Sequence, residues 1–142
     1  MNTPITLSTE LRKLVEARLE QTLRGIEDTL KQIIEKQDIS AKELKADLES
    51  LEESFNVLFQ KWSLELLYTL FLKNSTGFGE LKKILGVNSR TLSDKLKTLN
   101  KHDYIEREVD DGPPLRVKYA LTVKGKNTVL LALPLLYYSR TT

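Results

Sequence analysis

Residues 78–104, FGELKKILGVNSRTLSDKLKTLNKHDY, constrain the fold more than any other stretch of the chain. Phe78, Leu81 and Leu85 recur at helical spacing, and Gly86-Val87-Asn88 then breaks the run. Ser89 is placed to cap a second helix. In that helix Leu92, Leu96 and Leu99 share one face. At 100° per residue the opposite face carries Arg90, Asp94, Lys97 and Lys101, with Thr91 and Thr98 beside it. One side is suited to burial, and the other offers hydrogen-bond donors on a mostly cationic ground. Those are the requirements of a helix that lies in the major groove of DNA.

The flanks extend the pattern. Upstream, KWSLELLYTLFLK places Trp62, Leu66, Leu67, Leu70 and Phe71 on one broad apolar stripe, which predicts a supporting core helix. Downstream, YIEREV and LRVKYALT read as two short strands joined by DDGPP, whose turn chemistry continues neither a helix nor a ladder. Val117, Tyr119 and Leu121 alternate with Arg116, Lys118 and Ala120, so one strand face packs inward while the two cations face out. The predicted fold is mainly α with a small β-hairpin wing, a winged helix-turn-helix carrying a long N-terminal helical extension.

KWSLELLYTLFL, FGELKKILG, SRTLSDKLKTL and PPLRVKYALTVKG, in that order, resemble the HxlR-type transcriptional regulators, relatives of the MarR winged-helix group. The resemblance spans about residues 61–126. It implies a dimeric regulator whose second motif helix enters the major groove while the wing reaches along the backbone. Candidate groove residues are Ser89, Arg90, Thr91, Ser93, Asp94, Lys97, Thr98 and Lys101, and candidate wing contacts are Arg107, Arg116 and Lys118. Asp110 and Asp111 at the wing tip suit a turn better than the negative minor groove. The family often has a sensing cysteine shortly before the tryptophan. This chain has SFNVLFQKW there and no cysteine at any position, so a thiol switch is not implied.

Ahead of the motif, Leu11, Val15, Leu19, Leu23, Ile26, Leu30 and Ile33 keep spacings of four and three over a long helix. Ser8 or Thr9 would cap it, and Gly25 weakens it slightly. A turn is expected over residues 37–40, with Ser40 and Glu43 forming a capping box. Leu44, Leu48, Leu51, Phe55 and Leu58 then repeat four, three, four, three. Two narrow-striped helices cannot bury their stripes alone. They pack on each other, on the winged domain or on a second subunit, and dimerisation is preferred over an intrachain hairpin that closes over the core. After the wing, Thr122 caps a last helix from Val123 to about Leu133, where Pro134 kinks or ends it. The predicted division is an arm over 1–60, the winged domain over 61–122 and a C-terminal helix over 123–142. Dimerisation is assigned to Leu19, Leu23, Ile26, Leu30, Ile33, Leu133, Leu136 and Tyr137.

Charge separates along the chain in the same way. Residues 1–60 carry 8 Lys/Arg against 12 Asp/Glu, and 61–142 carry 14 against 8, so a net charge of +2 conceals an acidic arm and a basic domain. A basic cluster alone can be a solvated face, but its place opposite a leucine stripe argues for phosphate. At 142 residues the chain can build a core without disulfides or metals. Zero cysteines exclude a disulfide scaffold, a Cys-ligated zinc site and a thiol nucleophile. His102, the sole histidine, makes no metal site by itself.

Catalytic patterns are wanting. Ser93 and Lys97 sit four apart on a helix without an oxyanion site around them, and Gly77-Phe78-Gly79 is an isolated GxG. No cofactor and no metal is implied, and an enzyme remains only as a contrasting class. The N-terminus lacks the pattern of a signal peptide, and TVLLALPLLYY is too short to span a membrane, so a cytoplasmic protein is expected. The reading is a sequence-specific regulator of double-stranded DNA, a homodimer on an inverted repeat and a repressor by promoter occupation. Its alternative is a winged helix used for protein contacts alone. A small-molecule effector is compatible with either.

Overall fold

The computed structural model describes residues 9–38 and 40–139. The elements run α1 (Thr9–Lys36), α2 (Ala41–Phe59), α3 (Ser63–Lys73), β1 (Thr76–Gly77), α4 (Phe78–Leu85), α5 (Ser89–Lys101), β2 (Ile105–Asp110), β3 (Arg116–Leu121) and α6 (Val123–Ser139). They divide into two compact units, Met1–Leu48 and Glu49–Thr142. This is the mainly helical, winged architecture that the motif predicts.

In the first unit, α1 runs unbroken through Gly25, and its seam residues Leu23, Ile26, Leu30 and Ile33 are all exposed. At the start of α2 the Glu43 N–H donates to Ser40 Oγ at 3.2 Å and the Leu44 N–H to the Ser40 carbonyl at 3.1 Å. That is the serine's half of the expected capping box. Ser8, Ile39 and the side chain of Leu11 lie outside the described residues.

The second unit is built on α3. Leu66, Leu67 and Leu70 are buried against Leu81 of α4, Leu92, Leu96 and Leu99 of α5, Tyr104, Ile105 of β2 and Val129 of α6. The end of α2 reaches this core through Val57 and Leu58. Burying each leucine contributes roughly 1.5–3 kcal/mol, so this cluster fixes the orientation of α5.

Four local features differ from the expectations. Trp62 is not on the α3 stripe. It precedes the helix in the left-handed region at φ 77°, where the turn that bonds Ser63 N–H to the Gln60 carbonyl places it, and Lys61 Nζ stands 5.2 Å from its ring centroid. The cap of α5 is Asn88 rather than Ser89, because the Asn88 side chain is the one that accepts from the Thr91 N–H, at 2.8 Å. The sheet has three strands in the order β1-β3-β2, with Thr76 opposite Tyr119 and Gly77 opposite Lys118. Finally, α6 continues past Pro134 to Ser139. Proline removes one donor but keeps a helical φ, so the helix loses a bond without having to end.

Candidate nucleic-acid interface

Two backbone devices place α5. Gly86 ends α4 in the left-handed region (φ 67°, ψ 32°), and its N–H bonds back to the Lys82 carbonyl at 2.9 Å. A side chain with a Cβ is strained there, which is why glycine occupies the turn. Two residues later the extended Asn88 (φ −77°, ψ 163°) starts α5. The chain therefore turns from α4 into α5 within Gly86-Val87-Asn88, and α5 begins with its first turn capped.

The far end of α5 is closed as firmly. Tyr104 N–H bonds to the Leu99 carbonyl at 2.9 Å and Asp103 N–H to the Asn100 carbonyl at 3.1 Å, with Asp103 left-handed at φ 63°. This pair of bonds is a Schellman motif, and the buried Tyr104 and Leu99 supply its apolar contact. Lys124, from the first turn of α6, donates to the His102 carbonyl at 3.0 Å and lies 4.5 Å from the Tyr104 ring centroid. A cation at the negative end of α5 is favourable there. Burial raises the pKa of the Tyr104 phenol above its ordinary value.

Between those ends the helix presents two chemically distinct faces. Leu92, Leu96 and Leu99 are buried, whereas Ser89, Arg90, Asp94, Lys97 and Lys101 are exposed. Thr91, Ser93 and Thr98 are half-buried along the boundary, and the Thr98 hydroxyl donates to the Asp94 carbonyl at 3.0 Å. Lys95 differs from the other cations of this helix. It is half-buried, and Nζ donates to Gln60 Oε1 at 2.8 Å. No spacing rule in the sequence points to that bond.

In the wing, Arg107, Arg116 and Lys118 are all exposed, although their surroundings differ. The ladder sets Asp110 opposite Arg116 and Glu108 opposite Lys118, while Arg107 faces Tyr119. Directly opposed unlike charges attract across strands, so Arg116 and Lys118 each have a nearby carboxylate and Arg107 faces a ring. Glu108 also accepts from Ser75 Oγ at 3.0 Å. At the tip, Asp110 Oδ1 accepts from the Gly112 N–H at 3.2 Å, the turn-forming part anticipated for this aspartate.

A capped helix with a cationic outer face, set by a tight turn on a second helix and flanked by a hairpin, defines a winged helix-turn-helix DNA-binding protein of the transcription-regulator class. The chain belongs to the HxlR-like helix-turn-helix family, whose sequence profile matches residues 57–136. It is 33% identical over 76 residues to the HTH-type transcriptional regulator YvaP of Bacillus subtilis, a match covering 53% of this chain and 69% of that protein. A second HTH-type regulator, sll1512 of Synechocystis, is 35% identical over 86 residues, covering 58% of this chain and 63% of that one. Among solved structures, a MarR-family transcriptional regulator from Enterococcus faecalis superposes with a TM-score of 0.57 at 31% identity, over 65% of this chain and 83% of that one. Diamide-treated YodB from B. subtilis gives 0.53 at 27% identity, over 63% and 87%. The matched family region begins at residue 57, after most of the helical arm.

Proposed function

We propose that the protein is a homodimeric repressor that reads an inverted-repeat operator in double-stranded DNA. The observation that carries this reading is the two-faced α5. Three buried leucines hold it from behind, and Arg90, Asp94, Lys97 and Lys101 stand clear of the protein in front. In this reading Ser89, Arg90, Thr91, Ser93, Asp94, Lys97, Thr98 and Lys101 line the groove, and Arg107, Arg116 and Lys118 approach the backbone beside it. Of the wing cations, Arg107 is favoured as the strongest phosphate contact because no carboxylate stands opposite it in the ladder.

Dimerisation is assigned to Leu19, Leu23, Ile26, Leu30 and Ile33 of the arm and to Leu133 and Leu136 of α6. Tyr137 belongs to the same assignment, with its side chain outside the described residues. The exposed parts of the arm over 1–60 and of the helix over 123–142 thus serve association and 61–122 serves DNA, while Val57, Leu58, Val129 and Leu133 also pack in the core of the winged domain. A two-fold dimer sets its recognition helices about 34–36 Å apart, one helical turn of DNA. Repression by occupying a promoter in the cytoplasm is the simplest use of such a dimer, with or without a small effector. Among the described residues no helix is long and apolar enough to cross a membrane.

The acidic side of the wing, with Glu106, Glu108, Asp110 and Asp111 all exposed, favours a second reading. In it the winged helix serves protein contacts without sequence-specific DNA binding. Titrating salt against duplex DNA separates the two. Counterion release makes DNA binding fall steeply with salt, whereas an adaptor gives no binding to titrate.

A further inference from the structure

The arm offers a wider apolar face than a two-stranded coil requires. With Leu23 and Leu30 at position a of a heptad, Leu19, Ile26 and Ile33 fall at d, and Thr22 and Thr29 fall at g. Leu23, Ile26, Leu30 and Ile33 are between 42% and 53% exposed. The two threonines extend this strip, because each has its hydroxyl donor satisfied within the helix. Thr22 Oγ1 donates to the Arg18 carbonyl at 3.0 Å and Thr29 Oγ1 to the Gly25 carbonyl at 2.9 Å. A hydroxyl whose proton is already donated costs less to bury. The result is a face of three positions per heptad, which suits a bundle, where a two-stranded seam uses two. Leucine at a with isoleucine at d also disfavours the two-stranded form in parallel coils.

Charge narrows the choice of occupant. Residues 1–60 hold 8 Lys/Arg against 12 Asp/Glu, which opposes DNA. Over its whole length α1 balances six Lys/Arg with six Asp/Glu, among them the exposed Arg24–Glu20 pair at 2.6 Å. A helix lying on an anionic membrane would need an excess of cations there. A second copy meets both conditions, and it brings matching surfaces of its own, since Leu44, Leu48, Leu51 and Phe55 of α2 are each more than half exposed.

We propose that the α1 face closes against a second copy of this chain in a four-helix bundle, to which each copy gives α1 and α2. The bundle lies almost wholly ahead of the region shared with the family, which begins at residue 57. It therefore gives this chain an association device additional to its winged domain. The inference rests on the homodimer reading above and specifies its geometry.

Two double variants of the full chain test it by sedimentation across micromolar concentrations. Leu23→Glu/Leu30→Glu places charge in the seam of any coil or bundle. Thr22→Lys/Thr29→Lys distinguishes the two architectures. In a two-stranded parallel coil a lysine at position 22 lies beside the second copy's Glu27 and tightens association, whereas in the bundle it buries ammonium groups and loosens it. Glutamate and lysine are good helix formers, so neither variant removes α1 by propensity alone. A wild-type dimer whose dissociation constant rises about tenfold or more in both variants supports the bundle. Unchanged or tighter association of Thr22→Lys/Thr29→Lys overturns it in favour of a two-stranded coil or another surface. A Leu23→Glu/Leu30→Glu protein that remains as tight a dimer removes the arm from the interface and leaves the homodimer reading intact. A monomeric wild type overturns both.

Discussion

The Lys95 ammonium donates to the Gln60 side-chain carbonyl at 2.8 Å, joining the recognition helix to the turn that follows α2. Two lysines on one helix, Lys95 and Lys97, therefore have different tasks. Lys97 is exposed and free to meet a phosphate, and Lys95 is half-buried and already engaged. Lys95→Ala should cost about 0.5–1.5 kcal/mol of folding stability, the net worth of a protein hydrogen bond, and leave the salt dependence of DNA binding unchanged. Lys97→Ala should weaken specific and random DNA alike and reduce the salt slope by about 1. Equal slopes for wild type and the Lys97 variant would remove Lys97 from phosphate contact.

Arg90 lies in the first turn of α5, where side chains of a helix-turn-helix protein reach base edges. Arg90→Ala should lose roughly 1–3 kcal/mol at the operator, if Arg90 reads a guanine edge, with little change on random duplex. Competition between operator and random DNA measures the difference. An unchanged operator preference would assign base reading to another residue of the helix.

The Asn88 side chain satisfies the Thr91 N–H at the start of α5. Asn88→Ala should destabilise the protein by about 1 kcal/mol, while Asn88→Ser retains a capping oxygen and loses much less. Thermal unfolding of the two variants supplies the comparison. Equal losses would mean that capping is not what Asn88 contributes.

The parts of this fold that were legible are those with a period. Leu92, Leu96 and Leu99 announce a helix with one buried face, and Gly86 marks the turn before it because few other residues take its backbone angles. Strand β1 has two residues, too few for any alternation to register, and its existence depends on β3 being beside it. Adjacent Asn88 and Ser89 are both good capping residues, and only the finished turn decides for Asn88. Hydrophobicity alone puts Trp62 on the α3 stripe, but it carries no information about the residue's left-handed φ. The Lys95–Gln60 bond joins residues 35 apart and follows from tertiary packing alone. Opposed charges in the wing became visible only once the register of β2 on β3 was known.

Redox control is expected to be absent from this family member. The chain contains no cysteine, and its single methionine is Met1. Thiol oxidants act through a thiolate, and there is none here to condense or to form a disulfide. Diamide or mild peroxide should therefore leave the DNA affinity unchanged. A reversible loss of binding, restored by reductant, would contradict this.

Gly125 sits where α6 leaves the wing, and it is buried with its N–H bonded to Thr122 Oγ1 at 3.0 Å. A Cβ at this position would fall on the carbonyl oxygen of Tyr104, with the Leu121 side chain at 3.2 Å. That same carbonyl accepts the Thr122 N–H at 3.2 Å, and Tyr104 closes the C-terminus of the recognition helix through its bond to Leu99. Backbone cannot yield as a flexible side chain would, so Gly125→Ala must push α6 and the end of α5 apart. The expected loss is about 1–3 kcal/mol or more, from overpacking against a fixed carbonyl. Because Lys124 also bonds to the His102 carbonyl, the same displacement should weaken operator binding although Gly125 faces no DNA. Gly25→Ala is the control: nothing lies within 4 Å of a Cβ there, and alanine favours the α1 helix. Urea midpoints should fall for Gly125→Ala and hold or rise for Gly25→Ala, and an unchanged midpoint for the first would show that α6 yields without cost.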